Sequence, residues 1–342
     1  MLKKLYKKTL LFITPLLLVA PFFVSAQIIP DFGSTLLLTI TPTYPSPEEG
    51  VTVSIESFSA DLHNSNISWF LDTKLVQEAV GITSFTFTAG ALGSPTRIDV
   101  VAQEPGAPLL SETVYVRPTD MDILWQGDTF THPLYRGKRL PTTGSAINVE
   151  VIPHFINEFG RKFATSELTY VWSVEGKKLT HASGRGENTI TITQNKPIKN
   201  IPIEIEVASP DGLITRKESL QIPIETSALH IYENNPLLGI LFNKAVNSLY
   251  SLVGQETNFI AYPFFMSAVD RNDSSLQYSW SLDGKPITLG EDTGSITVSH
   301  EGGVRGTALI KVGARNTKEI FQKSDVEFSI EFGNSPSSGF SF

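Results

Sequence analysis

Few side chains in this sequence have the types and spacing that catalysis or metal binding requires. Cysteine is absent, which excludes disulfides, thiolate zinc sites and cysteine nucleophiles. The 6 histidines are scattered, and none has a second histidine or a carboxylate at metal-ligand spacing. Neither a Gly-x-Ser-x-Gly elbow nor a phosphate-binding glycine loop occurs. We therefore predict that the protein is not an enzyme and needs no cofactor. Glycoside hydrolysis stays open as an alternative, because it requires only two suitably spaced carboxylates and the chain has 35 acidic residues.

The densest group of oxygen ligands is an acidic loop near residue 270. Asp270, Asn272 and Asp273 lie together, and Glu291 and Asp292 follow further along the chain. Such oxygens could hold Ca²⁺, but the same residue types also cap the backbone of solvated turns. The loop at 159–167, which precedes a tryptophan strand in the same way, has a single acid, whereas a site common to both loops should recur. We therefore predict a solvated turn and no metal site.

The charge balance argues against polyanionic partners. The chain has 27 basic and 35 acidic residues, which gives a formal net charge of −8 at pH 7. Several lysines lie in residues 1–8, so the rest of the chain is more acidic still. Such a chain has no broad positive field for nucleic-acid phosphates or anionic lipids, and we expect no nucleic-acid partner.

The N-terminus has the pattern of a secretory signal peptide. The lysines of residues 1–8 are followed by an apolar run from Thr9 to Val24, and Val24-Ser25-Ala26 places small residues before a cleavage point at Gln27. An uncleaved membrane anchor is the alternative, but the run is shorter than a span of about 20 residues and contains two prolines. No later stretch is long and apolar enough to cross a bilayer, so we predict an exported mature chain without a transmembrane span.

Three tryptophans recur in similar contexts and organise the rest of the sequence. Trp69, Trp172 and Trp280 are 103 and 108 residues apart. Apolar and polar residues alternate around each of them, so that Tyr170 and Tyr278 share a strand face with the neighbouring tryptophan. Burying such a ring removes about 150–250 Å² from water. We therefore predict that these five residues belong to a structural core rather than to a ligand platform.

Each repeat contains about seven short alternating segments separated by turn residues. Helical periodicity is missing over most of each repeat. This pattern predicts an all-β protein built of antiparallel β-sandwich domains. The predicted boundaries are 1–26 for the signal peptide, 27–118, 119–225 and 226–332 for three tandem β-sandwich domains, and 333–342 for a C-terminal tail that is either flexible or a short docking peptide.

One segment fits the strand pattern less well. Residues 236–253 place apolar side chains at helical spacing, which would give an amphipathic helix of about four turns. The counterpart at 131–144 has the same Pro-Leu opening, but Pro141 and Gly144 preclude a long helix there. We therefore interpret both segments as an entering strand and an interdomain clasp, and leave a short helix within 236–253 as the alternative.

The Tyr-x-Trp-x-apolar-acid-Gly strand resembles the immunoglobulin-like and PKD-type β-sandwich repeats of exported bacterial surface proteins. The residues that carry the resemblance are Tyr170, Trp172 and Gly176, and Tyr278, Trp280 and Gly284. The first repeat departs from it, with Ile67 in place of tyrosine and Thr73 in place of glycine. The resemblance implies three tandem immunoglobulin-like domains in a non-catalytic spacer, adhesin or assembly component of the cell envelope.

We accordingly expect a structural or adhesive protein of the bacterial cell envelope or of a surface appendage. It would act as an elongated spacer that is extracellular, on the cell surface or periplasmic. Its expected partners are other envelope or surface proteins, with glycans as a second class. The alternative is a carbohydrate-binding or other ligand-binding β-sandwich module, whose candidate residues are Trp125, Phe130 and Tyr135. Core or clasp packing is the commoner role of such rings, and Tyr232 aligns with this group in the next repeat.

Overall fold

The computed structural model describes residues 36–157, 159–252, 254–300 and 305–333. Nearly all regular structure in these ranges is β-strand, in six sheets that face each other in three pairs, and each pair encloses one large hydrophobic cluster. The prediction of an all-β, antiparallel sandwich architecture is confirmed. The predicted signal peptide at 1–26 and residues 334–342 of the predicted tail lie outside the described residues. In the part described, no helix is long and apolar enough to cross a membrane.

The first sheet pair has seven strands, all paired antiparallel. They are β1 (Leu37–Thr41), β2 (Gly50–Glu56), β3 (Asn66–Leu71), β4 (Lys74–Val80), β5 (Ser84–Thr88), β6 (Thr96–Gln103) and β7 (Leu110–Val116). One sheet has the order β1-β2-β5, and the facing sheet has the order β4-β3-β6-β7. This is the division of strands that immunoglobulin-like and fibronectin-type sandwiches share.

The second sheet pair repeats this arrangement. Its strands are β8 (Met121–Gly127), β9 (Ala146–Pro153), β10 (Thr169–Val174), β11 (Lys177–Lys178), β12 (Gly184–Arg185), β13 (Thr189–Thr193), β14 (Asn200–Ala208) and β15 (Thr215–Pro223). Two 3₁₀ turns, Thr165–Glu167 and Thr180–Ala182, lie between them. The sheets have the orders β13-β9-β8 and β11-β10-β14-β15, and β12 also pairs with β10. The strand that corresponds to β4 is therefore divided into two short pieces.

The third sheet pair adds two strands near its beginning. Its strands are β16 (Ala228–Asn235), β17 (Gly239–Ala245), β18 (Leu249–Ser251), β19 (Glu256–Phe264), β20 (Leu276–Leu282), β21 (Lys285–Pro286), β22 (Ser295–Ser299), β23 (Gly306–Asn316) and β24 (Lys323–Phe332). The sheets have the orders β17-β16-β19-β22 and β18-β24-β23-β20-β21. Strand β18 runs parallel to β24, and the other neighbours are antiparallel.

The helix considered for residues 236–253 is wrong, because this segment forms β17 and β18. Its apolar residues serve different surfaces instead of one helix face. Phe242 and Ala245 pack on an aromatic cluster, Leu252 enters the core of the third sheet pair, and Leu238 and Leu249 stay exposed. Pairing with β16 and β24 satisfies the backbone of the segment, and this tertiary contact overrides the 3.6-residue spacing.

Each of the three large clusters contains one repeated tryptophan. Trp69, Trp172 and Trp280 lie on β3, β10 and β20 and are at most 3% exposed. Each indole N–H donates to a backbone carbonyl in the segment that leads into the facing sheet, namely those of Ile82 at 3.1 Å, Glu187 at 2.8 Å and Thr293 at 3.1 Å. Tyr170 and Tyr278 are buried two residues before their tryptophans. The polar edge of every ring is therefore satisfied inside its core.

Tight turns follow the tryptophan strands. In the second and third sheet pairs the turns are Glu175-Gly176, with φ of 51° and 74°, and Asp283-Gly284, with φ of 47° and 79°. In the first pair Thr73 occupies the glycine position with φ of 71°. Positive φ at both central residues is what a two-residue hairpin turn demands, and it is unfavourable for a β-branched side chain. Pairing of β3 with β4 on both sides of the turn holds Thr73 in this conformation.

Candidate functional site

In the part of the chain that the structure describes, we take the contacts between successive sheet pairs as the candidate functional site. We call the contact of the first pair with the second the first junction, and that of the second with the third the second junction. In both, the connection between the first two strands of one pair reaches the next pair. These connections are residues 42–49 and 128–145.

The first junction is centred on one buried arginine. Arg216 on β15 is 7% exposed, and its guanidinium donates to the carbonyl oxygens of Tyr44 and Thr119 and to Ser46 Oγ. The same guanidinium binds Glu218, with 2.9 Å between Arg216 Nε and Glu218 Oε1. A guanidinium presents five donors in a fixed plane, so one side chain fastens three segments at once.

Backbone contacts complete the first junction. The Thr119 N–H donates to the Pro45 carbonyl at 3.0 Å. The Gly93 N–H donates to the Pro118 carbonyl at 3.0 Å. Gly93 also approaches Ile156 so closely that a Cβ on Gly93 would lie 2.8 Å from Ile156 Cβ. Segments of the first and second sheet pairs therefore touch at more than one point.

The second junction is a clasp formed by residues 128–140. It lies against the outer face of the sheet that contains β16, β17 and β19. The backbones exchange two hydrogen bonds, from the Phe130 N–H to the Met266 carbonyl and from the Phe265 N–H to the Phe130 carbonyl, both at 2.8 Å. This reciprocal pair fixes the register of the clasp on the third sheet pair.

His132 lies at the centre of an aromatic cluster in the clasp and is 9% exposed. Its ring stacks on Phe242 with 4.5 Å between centroids and meets Phe264 edge-on at 5.3 Å. The other rings and apolar side chains around it are those of Phe130, Tyr135, Ala228, Tyr232, Ile240, Ala245, Ile260, Tyr262 and Phe265. Such edge-on and offset contacts each stabilise by about 0.5–1.5 kcal/mol beyond the area they bury.

Polar contacts fasten the same junction beyond the clasp. Thr142 Oγ1 donates to the Phe265 carbonyl at 2.9 Å, and Gln322 Nε2 donates to the Thr143 carbonyl at 3.2 Å. Gly144 lies under Glu319, whose Oε2 would be 2.2 Å from a Cβ at that position. The second junction therefore extends from the outer sheet face to the loop between β23 and β24.

Burial governs the protonation of the clasp. Burial, and secondarily the nearby His230, holds the pKa of His132 below its ordinary value. Burial also lowers the pKa of His230, whose ring meets Phe264 edge-on at 4.8 Å. His132 Nδ1 accepts a hydrogen bond from the Leu134 N–H at 3.1 Å, so a neutral ring carries its proton on Nε2. Protonation of Nδ1 would break this bond.

The three residues considered as a glycan platform do not share an exposed surface. Trp125 is half-buried against the second core, and Lys138 Nζ lies 3.8 Å from the centroid of its ring. Phe130 and Tyr135 belong to the clasp, as does the aligned Tyr232. The sequence did not single out His132, Phe242 or Phe264 as clasp residues. The available signal was the spacing of Tyr262 and Phe264, which are two residues apart and therefore share one face of β19.

The oxygens of the acidic loop are used within the protein. Asp273 Oδ1 accepts hydrogen bonds from the Ser275 N–H and Oγ at 2.8 Å, and Asp273 Oδ2 accepts one from the Val269 N–H at 2.9 Å. Hydrogen bonds from these backbone groups lower the pKa of Asp273. Asp292 is paired with Arg271 at 2.6 Å. Within the described ranges, no three histidine or acidic side chains are grouped so as to hold a metal ion.

A cleft of about 890 Å³ lies between β17, β18 and β19. Tyr250 Oη donates to Glu233 Oε2 at 2.9 Å, and Asn234 Nδ2 donates to Asn258 Oδ1 at 3.0 Å. The cleft is thus lined by polar groups that bind each other, with leucine side chains beside them.

No family model matches the chain, and no curated protein matches it. Among solved structures, the chain is similar to the three N-terminal domains of the bacteriophage RB49 outer capsid protein Hoc, with 13% sequence identity and a TM-score of 0.26. The match covers 88% of this chain and 100% of the Hoc chain. The central fibronectin-III array of RIM-binding protein is 12% identical over 89% and 98%, with a TM-score of 0.29. A Bacteroides ovatus glucan-utilization protein, SGBP-B, solved with a mixed-linkage heptasaccharide, is 8% identical over 89% and 76%, with a TM-score of 0.22. At these TM-scores the likenesses carry no functional argument, and the assignment of the fold rests on the strand pairing of this chain.

Proposed function

We propose that this protein is an exported, non-catalytic structural component of the bacterial cell envelope or surface, in which three β-sandwich domains form an elongated spacer. The domains would be residues 27–118, 119–225 and 226–332, each built around one sheet pair. The observation that carries the proposal is that both junctions are fastened by buried side chains and by backbone hydrogen bonds. Flexible linkers between independent binding modules would need neither.

The mechanism of such a spacer is geometric. In the first two domains, the connection between the first two strands lies at the end of the sheets and binds the next domain, so these domains follow one another in sequence order. Buried contacts at a junction limit bending, and a stiff series of domains holds its far end at a fixed distance from its attachment point. The partners would be other envelope or surface proteins, with glycans as a second class.

Solution scattering from the chain that begins at Gln27 tests the shape. Strands of about 5–10 residues at about 3.3 Å each, with their loops, give three domains in series a length on the order of 100 Å. We expect a maximum dimension in that range and the scattering profile of a rod. A compact globule would contradict the spacer.

Export is tested separately by expressing the full chain in a bacterial host and determining the N-terminus of the product. We expect the mature protein to begin at Gln27 and to be found outside the cytoplasm. A product that retains residues 1–26 and sediments with membranes would instead support an uncleaved anchor.

A ligand-binding module is the second candidate, and the cleft beside β17 and β18 favours it. Amide, carboxylate and hydroxyl groups next to leucine side chains suit a neutral saccharide. A glycan array would enrich one sugar, with binding lost in Asn234→Ala and kept in the matched control Trp125→Ala. Equal loss in both variants would place the sugar outside the cleft, and an array without enrichment would remove this candidate.

A further inference from the structure

The hairpin tip between β16 and β17 corresponds in sequence to part of the clasp. Pro236-Leu237-Leu238-Gly239 aligns with Pro133-Leu134-Tyr135 and the following Gly137. In the second sheet pair this element docks on the next pair, where Tyr135 packs in the aromatic cluster. In the third pair the aligned leucines are 92% and 75% exposed. The Pro-Leu part of the clasp is therefore present again, with Glu233 and Asn235 at the positions of Phe130 and His132, and the described residues do not cover it.

The tip has a fixed conformation. Asn235 Oδ1 accepts hydrogen bonds from the Leu237 N–H at 3.0 Å and the Leu238 N–H at 3.2 Å, while Asn235 Nδ2 donates to Glu233 Oε1 at 3.1 Å. Gly239 closes the turn with φ of 74°. An apolar tip that is already ordered loses little conformational freedom when a partner covers it.

Strand register places the tip at the end of the third sheet pair that lies away from the second junction. Ala228 pairs with Phe264 at the junction end, and Glu233 pairs with Phe259 further down the same two strands. The tip follows Asn235 and so lies beyond that point.

The opposite end of the described chain also carries exposed apolar side chains. Leu37, Phe58 and Leu109 are 53%, 94% and 57% exposed. In the first sheet, Leu37 pairs with Glu56, and Phe58 lies two residues after Glu56. In the facing sheet, Leu110 pairs with Ala102 at the same end, and Leu109 directly precedes Leu110. The first junction lies at the other end of this sheet pair, beyond Thr41.

We infer that the tip of one chain docks on the end of the first sheet pair that carries Leu37, Phe58 and Leu109 in a second copy, so that chains join head to tail. The contact continues the pattern of both junctions, in which the connection after the first strand binds the domain that follows. It is a heterologous interface, in which different surfaces meet, and repetition of such an interface gives a filament. The inference rests on the proposed spacer function and gives it a partner.

Sedimentation velocity on the chain from Gln27, from low micromolar to several hundred micromolar, tests the association. We expect the average mass to rise with concentration, and Leu238→Asp to weaken the association by about tenfold or more, because it places a charge in an apolar contact. Leu124→Asp is the matched control, since Leu124 is a leucine of β8 that is 52% exposed and lies at neither end. Circular dichroism should show all three proteins equally folded.

A mixing experiment tests the head-to-tail geometry. The double variant Leu237→Asp/Leu238→Asp lacks the tip, and Phe58→Asp/Leu109→Asp lacks the receiving end. Each alone should stay monomeric, whereas an equimolar mixture should form a dimer with one copy of each, because the intact tip meets the intact receiving end.

Three results would overturn the inference. These are a wild-type chain that stays monomeric throughout, a tip variant that still associates, and a receiving-end variant that associates normally, which would indicate contact between two tips. In each case a rod-like scattering profile of the monomer would leave the proposed spacer function standing. A compact monomer would remove that function as well.

Discussion

The two junctions solve the same problem with different chemistry. At the first, the guanidinium of Arg216 binds the Tyr44 carbonyl and the Ser46 hydroxyl of the preceding sheet pair and the Thr119 carbonyl of the connecting segment. At the second, the clasp spreads over an aromatic surface centred on His132 and adds two backbone hydrogen bonds. The side-chain hydrogen bonds of the first junction therefore centre on one residue, whereas the second junction is spread over many contacts of similar size.

This difference teaches which changes each junction tolerates. A buried hydrogen-bonded charge leaves several acceptors without partners when it is removed. A single substitution in the aromatic cluster removes only some of its contacts. The cluster is nevertheless sensitive to pH, because His132 at its centre can be protonated. Amide hydrogen exchange distinguishes the two, because the Thr119 N–H reports the first junction and the N–H groups of Phe130 and Phe265 report the second.

Trp172→Ala should have the largest effect on stability and should weaken both junctions alike. The ring is fully buried in the second sheet pair, which contributes to both junctions, and its loss should cost about 3–5 kcal/mol. Hydrogen exchange at the amides of both Thr119 and Phe130 should then become faster. Calorimetry should show a lowered Tm. An unchanged Tm would mean that burial of the Trp172 ring does not stabilise this core.

Arg216→Ala should open the first junction selectively. The buried carbonyls of Tyr44 and Thr119 would lose a donor, at about 1–3 kcal/mol for an unsatisfied buried group. Exchange at the Thr119 amide should rise about tenfold or more, with little change at Phe130. Arg161→Ala is a matched control, since Arg161 is largely exposed and its side chain contacts only nearby residues of the same domain, Glu167 at 3.0 Å and the Phe163 ring at 4.9 Å, among those described. Equal acceleration at both junctions would mean that they are coupled.

The sequence predicted strands and turns well because both are set locally. Alternation around Trp172 and the Glu175-Gly176 pair suffice for a strand and its hairpin turn, whereas Thr73 makes the same turn without a glycine because β3 and β4 pair around it. The helical spacing in segment 236–253 kept a helix open as the alternative, whereas its apolar residues are in fact divided among a cluster, a core and the surface.

The junctions were less predictable because their partners are far apart in sequence. The clasp segment was identified from its Pro-Leu opening, but its central contact joins His132 to Phe242 across two sheet pairs. Nothing near Arg216 marks it as buried, since it lies in an ordinary alternating strand. Its acceptors Tyr44 and Ser46 come from about 170 residues earlier, and Thr119 comes from 97 residues earlier. Propensity and periodicity describe neighbours along the chain and carry no information on such contacts.

Phe242→Ala should loosen the second junction and leave the first intact. The ring stacks on His132 at 4.5 Å and meets Tyr262 edge-on at 5.0 Å, so its loss should cost about 1–2 kcal/mol. Exchange at the Phe130 and Phe265 amides should rise about 5- to 30-fold while that at Thr119 stays unchanged. Phe58→Ala, measured at a concentration at which the chain is monomeric, is the control, because Phe58 is 94% exposed and belongs to neither junction within the chain. A Phe58 effect as large as that of Phe242 would show that the readout is not specific.

Mild acid should give the smallest effect and should act on the second junction alone. The pKa of His132 is lower in the folded protein than in the unfolded chain, because burial and His230 disfavour the charged ring. The unfolded chain therefore takes up the proton first as the pH falls below about 6.5, and the clasp loses stability from that point downward. Between pH 7.5 and 5.5 we expect faster exchange at the Phe130 and Phe265 amides, after correction for the intrinsic pH dependence of exchange. Thr119 should show no such change, because an arginine guanidinium keeps its charge over this range. His132→Phe, which keeps an aromatic ring but cannot titrate, should abolish most of the response, and His230→Phe should reduce the remainder. A response that persisted in the double variant would mean that the clasp is sensitive to acid through some other group.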